Sequence, residues 1–110
     1  MPTPLLQTYT LTSIGTAFKY TDARWLHPWR YKGVVLLNGD SVDPVVDAVV
    51  EGSMDGTHWN TLNNTFGDAL AAGTQAAVQF DDPWVYYRVG VKAADANPLS
   101  LVTIWISAKD

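Results

Sequence analysis

The chain has 110 residues, 47% of them hydrophobic and only 16% charged, with a net charge of −4 and no cysteine. That length makes one domain, residues 1–110, and the lack of cysteine excludes disulfides and thiolate metal sites. The acidic balance without a basic stripe argues against nucleic-acid partners, and so few charges leave surface suited to burial against another protein.

Residues 1–5 carry Pro2 and Pro4 and are expected to form an extended N-terminal arm. This terminus has neither the basic nor the apolar region of a secretory signal, and no apolar run reaches the ~18 residues of a spanning helix, so no membrane partner is expected. From Leu6 to Thr12 the chain alternates, with Thr8, Thr10 and Thr12 on one face and Tyr9 and Leu11 on the other, the pattern of a half-buried strand. Gly15 punctuates it, and Ala17–Tyr20 is a short second strand. The aromatic segment Arg24–Tyr31 contains Pro28, which bars a central strand and predicts an edge strand or a loop. Val34–Leu37 is then a core strand, and Asn38-Gly39-Asp40 a turn.

The stretch Val45–Leu62 reads as a hairpin. Asp55-Gly56 supplies residues that tolerate positive φ, Val45, Val46, Val49 and Val50 precede it, and Thr57, Trp59 and Leu62 follow. Trp59 is expected to seal the core beside the turn. Within Asn63–Thr74, Asp68–Ala72 has the composition for a turn of helix, but Gly67 and Gly73 bracket it tightly, so a long surface loop is preferred. Gln75–Phe80 is a modest strand. Trp84–Lys92 puts Val85, Tyr87, Val89 and Val91 on one face and Trp84, Tyr86, Arg88 and Lys92 on the other. After a turn over Ala93–Pro98, Leu99–Ser107 closes the chain with Val102, Ile104 and Ile106 on one face and Leu101, Thr103 and Trp105 on the other, a pattern that suits cover on both faces. About seven or eight strands at such spacing predict an all-β, antiparallel sandwich.

No reaction is legible. His27 and His58 lack partners at metal-ligand spacing. Ser53, Asp55 and His58 crowd one hairpin without a nucleophile elbow, so no catalytic residue is assigned. Asp40, Asp43 and Asp47, with Asp81 and Asp82, have the chemistry of calcium ligands, but Asp also caps turns and the EF-hand spacing is absent; no metal is expected. Glu51 has no second Glu to form a glycosidase pair. Arg88 is expected to lie over an aromatic ring or to pair with an Asp. Trp25, Trp29 and Tyr31 would share one face of a strand, with Arg24 and Arg30 beside them. Such a cluster reads as a protein interface, as core, or as a sugar-stacking row; the interface is preferred, with Trp25, Trp29, Arg30 and Tyr31 as its residues.

The segment Val50-Glu51-Gly52-Ser53-Met54-Asp55-Gly56-Thr57-His58-Trp59, then Leu62, then Tyr86-Tyr87-Arg88-Val89-Gly90-Val91, resembles a recurrent pattern. It is similar to the strand, DG turn, Trp and late YxRV strand of small β-sandwich, jelly-roll-like virion proteins of tailed bacteriophages, such as head decoration (cement) proteins. Discoidin-like and other jelly-roll carbohydrate-binding modules share it. The likeness spans residues 45–107; residues 1–44 match nothing comparable. It implies a non-enzymatic structural protein on the outer capsid surface of the virion, made in the host cytoplasm, that bridges capsomers. Its partners would be the major capsid protein and further copies of itself, with a homotrimer expected and no cofactor. The alternative it implies is a carbohydrate-binding module of a phage tail, fibre or baseplate.

Overall fold

Short runs of β-branched and aromatic residues, alternating with polar ones, give nine strands among the described residues: β1 (Leu5–Leu11), β2 (Lys19–Tyr20), β3 (Arg24–Trp25), β4 (Tyr31–Asn38), β5 (Val46–Ser53), β6 (Asn60–Asn63), β7 (Gln75–Phe80), β8 (Tyr86–Ala93) and β9 (Val102–Lys109). The computed structural model describes residues 5–26, 29–39, 45–81, 84–94 and 101–109, with no helix among them. All pairings between strands are antiparallel. One sheet runs β1-β9-β4-β7; the other runs β2-β8-β5-β6, with β3 also on β8. β2 and β3 follow each other along the same edge of β8. Counted as one strand they leave eight, ordered 1-8-3-6 and 2-7-4-5, which is jelly-roll connectivity.

The inner faces meet in one core. Val34 and Leu36 of β4 and Val102, Ile104 and Ile106 of β9 pack against Val46, Ala48 and Val50 of β5 and Tyr87, Val89 and Val91 of β8. The alternations expected for β8 and β9 are therefore present from Tyr86 and from Val102 onward, but Trp84, expected on the outer side, precedes β8 and packs against the core; Trp105 sits half-buried on the outer side. Lys32 is also inward and buried, with Nζ 5.5 Å from the Tyr87 ring centre; a cation there is tolerated because the ring face carries negative charge density.

Several boundaries differ from the sequence expectation. β1 begins at Leu5, inside the expected arm, because its register with β9 runs unbroken from Leu5↔Ala108 to Leu11↔Val102. β4 extends back to Tyr31: Gly33 does not stop it, since a Cβ there would lie 3.1 Å from Ser107 Oγ, and the strand is paired on both sides. The last strand is shifted to Val102–Lys109. The Asn63–Thr74 loop is partly core, because Phe66 and Leu70 pack against it. It is anchored by Val46 and Leu70, which exchange backbone bonds of 3.0 and 2.8 Å, and by Asn38 Nδ2 donating to Leu70 O at 3.0 Å. Pro2, Pro4, His27, Pro28, Asp40, Asp43, Pro44, Asp82, Pro83, the 95–98 turn and Leu99 lie outside the described residues.

The edge strand of the second sheet is interrupted by one extra residue. Tyr20 pairs with Gly90 but Arg24 with Tyr87, a bulge in the sense of two residues opposing one. Thr21 fills it: its N–H donates to Val89 O at 2.9 Å, and its buried Oγ1 accepts from Val89 N at 3.0 Å.

Candidate interaction surfaces

The hairpin between β5 and β6 is real but its turn is wider than the Asp55-Gly56 signal implies, spanning 54–59. Asp55 explains the width. Its Oδ1 accepts from Thr57 N and His58 N, both at 2.8 Å, and from Ser53 Oγ at 2.9 Å, while Oδ2 lies 2.6 Å from His58 Nδ1. Those N–H groups are spent on a side chain, so strand pairing resumes only at Asn60. Gly56, at φ +79°, takes the left-handed position. The donors, first those of His58 and then Thr57 and Ser53, hold the Asp55 carboxyl well below the usual carboxylate range. This is turn architecture. Ser53 and His58 both bind Asp55, whereas a hydrolytic triad needs the histidine between serine and carboxylate.

Trp59 is not in the core. It stands half-buried on the outer face of the second sheet, where the Arg88 guanidinium lies 4.3 Å from its ring centre and 3.9 Å from that of Tyr20. Arg88 Nε donates to Glu51 Oε1 at 2.7 Å, so the pairing expected with an Asp is made with the chain's one glutamate. Farther along, Lys92 Nζ lies 4.9 Å from the Phe18 ring centre, and Phe18 and Tyr20 are 6.0 Å apart. Cross-strand register sets Glu51 opposite Arg88 and Asp47 opposite Lys92. Asp47 also accepts from Ala69 N at 2.8 Å. This face is charged, but its charges are mutually matched.

The outer face of the first sheet has another character. Register aligns three rows across β1, β9, β4 and β7: Leu6, Ser107, Gly33, Gln79; then Thr8, Trp105, Val35, Ala77; then Thr10, Thr103, Leu37, Gln75. None of these side chains is charged. Leu6 is 65% exposed, a large apolar group in water. A depression of about 350 Å³ opens beside Gly33, lined among others by Tyr31, Ala77, Gln79, Ser107 and Lys109.

The aromatic segment does not form a single strand. Trp25 ends β3 on the second sheet, opposite Tyr86, and is 56% exposed. Leu26 turns inward and is buried, and Trp29 packs against the core with its N–H on Leu26 O at 3.0 Å. Tyr31 opens β4 on the first sheet, 43% exposed, with the Arg30 guanidinium 5.1 Å from its ring centre. Trp25, Trp29 and Tyr31 thus do not share one face: the chain crosses between sheets within them. Near this crossing Tyr9 has its phenol pushed up, chiefly by burial, with Arg24 opposing and Asp22 adding to the rise.

Among the described residues no group of three or more His, Cys, Asp or Glu gathers to hold a metal. Asp40, Asp43 and Asp82 of the acidic set lie outside them. What sequence reasoning missed is the outer face of the first sheet, whose signal was present as the uncharged runs LLQTYTL and QAAVQF.

No family model matches the chain, and no curated protein matches it. Solved structures do. A protein of Bacillus endospore appendages, described as a novel family of disulfide-linked pili, superposes with a TM-score of 0.58 at 13% identity, over 97% of this chain and 88% of that one. The Clostridium thermocellum endo-1,4-β-D-xylanase 10B, as its CBM22-1–GH10 modules with xylohexaose, gives 0.49 at 11% identity, over 97% of this chain and 26% of that one. The Yersinia pseudotuberculosis-derived mitogen gives 0.45 at 10% identity, over 99% and 86%. None of the three is a phage protein. The likeness to the endospore-appendage protein is one of fold, a small β-sandwich, and at 13% identity it reaches no further.

Proposed function

We propose that this chain is a non-enzymatic structural subunit of a larger protein particle, in the specific form implied by its sequence likeness to tailed-phage virion proteins: a capsid decoration protein that bridges capsomers. The observation that carries the reading is the three adjacent uncharged rows on the outer face of the first sheet, with Lys109 opposite Tyr31 at one end, in a chain of net charge −4. An acidic chain normally keeps its large exposed surfaces charged. A sheet face of three uncharged rows, with Leu6 and Trp105 on it, is instead suited to burial. The pilin likeness is one of fold, and disulfide linkage has no counterpart in a chain without cysteine.

The sugar-binding alternative called for a flat aromatic row. Trp25 and Tyr31 are exposed but belong to different sheets, and Trp29 is packed inward. The geometry therefore favours a protein partner.

The test is co-sedimentation of the purified chain with undecorated phage heads beside a glycan-array screen. Saturable head binding without a glycan signal is expected. A glycan signal with no head binding would overturn the reading and favour the carbohydrate alternative.

A further inference from the structure

The two sheets treat their edges differently. The second sheet ends on β2 and β3, two residues each, separated by the Thr21 bulge and carrying Lys19 and Arg24. Its other edge, β6, has four residues, and the register of its pairing with β5 shifts at Val50/Glu51. Short length, basic side chains and bulges are the devices that keep an edge from pairing with another chain. The first sheet has none of them. β1, LLQTYTL, has seven residues in unbroken register, and β7, QAAVQF, has six. Neither contains a charge, a proline or a glycine, and among the described residues each pairs on one side only.

From this asymmetry we propose that a second copy of this chain adds its β7 to β1, continuing the first sheet from subunit to subunit. The inference rests on the structural-subunit reading above and names its contact. Three observations choose the occupant. Each strand of the first sheet is antiparallel to its neighbour, so β1 and β7 run in opposite senses and an incoming β7 meets β1 antiparallel. Side-chain rows also continue: the row holding Thr8 ends on Ala77, and the row holding Leu6 ends on Gln79, so exposed residues meet exposed residues across the seam. Finally, two chains of net charge −4 approach here through edge strands that carry no charge. A two-fold β1–β1 contact would leave β7 open, whereas the head-to-tail contact uses both unguarded edges. Such a contact closes into a ring or extends as a filament, and the homotrimer expected from the sequence is the three-membered ring.

Sedimentation velocity over a concentration series tests this with Thr8→Lys and Ala77→Lys, both at exposed positions. The parent chain should associate. Each variant alone should stay monomeric at concentrations where the parent is mostly assembled, an apparent dissociation constant raised at least tenfold. Mixed together, they should form a species of two chains that grows no further, because each retains the edge the other lacks. Leu6→Lys with Gln79→Lys, one row along, provides a second pair. A parent that stays monomeric overturns the seam, as does a mixture with no two-chain species. Loss of association in Thr8→Lys with none in Ala77→Lys also overturns it, by indicating a β1–β1 contact. A monomeric chain that still binds phage heads would overturn the seam and leave the structural reading standing; an assembled chain that ignores heads would do the reverse.

Discussion

The Arg88 guanidinium lies between two rings, 3.9 Å from the centre of Tyr20 and 4.3 Å from the centre of Trp59, while its Nε donates to Glu51 at 2.7 Å. The three contacts come from three different strands or turns, so this one side chain ties β2, the β5–β6 hairpin and β8 together on the outer face. A planar cation suits the task, since its faces stack while its edge hydrogen-bonds.

Trp59→Ala should therefore cost about 1–2 kcal/mol, the loss of a half-buried ring and one cation–π contact, and not the ~3–5 of a core aromatic. Urea melts give the value. The double variant with Arg88→Ala should fall short of the sum of the singles by ~0.5 kcal/mol or more; strict additivity would show that the rings and the guanidinium do not act together. Arg88→Lys should not rescue, because an ammonium cannot stack on two faces.

That ring marks where sequence reading reached its limit. The faces of β8 and β9 were legible because Tyr87, Val89, Val91 and Val102, Ile104, Ile106 alternate within single strands. Trp59 was misassigned because its size suggested core, while the Asp55 side chain had absorbed the N–H groups of Thr57 and His58 and moved the start of β6 to Asn60. The single strand face expected for Trp25, Trp29 and Tyr31 is absent for a related reason. Period-two counting assumes one continuous strand, and the chain changes sheets between Trp25 and Tyr31. The jelly-roll connectivity, with first strand beside last, is a long-range pairing that no local pattern encodes.

The bulge gives a second prediction. Thr21→Val keeps the volume but removes the acceptor for Val89 N, leaving a buried donor unpaired. Such a loss costs ~1–3 kcal/mol, and amide exchange at Val89 should accelerate more than at Val91. Equal protection at both amides would mean that the hydroxyl is not the acceptor that matters.

Two glycines differ in what they face. A Cβ on Gly52 would lie 2.7 Å from Trp84 Cγ and 2.9 Å from Leu62 Cδ1, both packed against the core. A Cβ on Gly90 would lie 2.6 Å from Tyr20 Cε1, the far part of an exposed ring. Gly52→Ala should cost ~1–3 kcal/mol by overpacking. Gly90→Ala should cost less in melts while displacing Tyr20 from Arg88. The order of the two denaturation midpoints checks the argument.

Acid stability should depend on Asp55. Its folded-state pKa is depressed, so its stabilising contribution is present above the unfolded-state value, about pH 4, and is lost as pH falls towards the lower folded-state value. Asp55→Ala should lower the melting temperature at pH 7 and flatten its decline below about pH 4. A variant that melts with the parent's pH profile would show that these turn hydrogen bonds leave stability unchanged.

The aromatic segment separates fold from function. Trp29 packs on the core, so Trp29→Ala should destabilise by ~2–4 kcal/mol, somewhat below the cost for a fully buried aromatic. Trp25, at 56% exposure, should leave stability within ~1 kcal/mol when replaced by Ala. Of the two, Trp25 is therefore the residue whose loss can be read as a binding effect. On the decoration reading, Trp25→Ala or Tyr31→Ala should reduce attachment to phage heads by tenfold or more, about 1.4 kcal/mol, if the ring lies in the contact. Because the two rings stand on different sheets, one flat partner surface does not engage both in the same way, and their losses should be unequal. Unimpaired attachment in both variants would move the contact away from these aromatics and onto the uncharged rows of the first sheet.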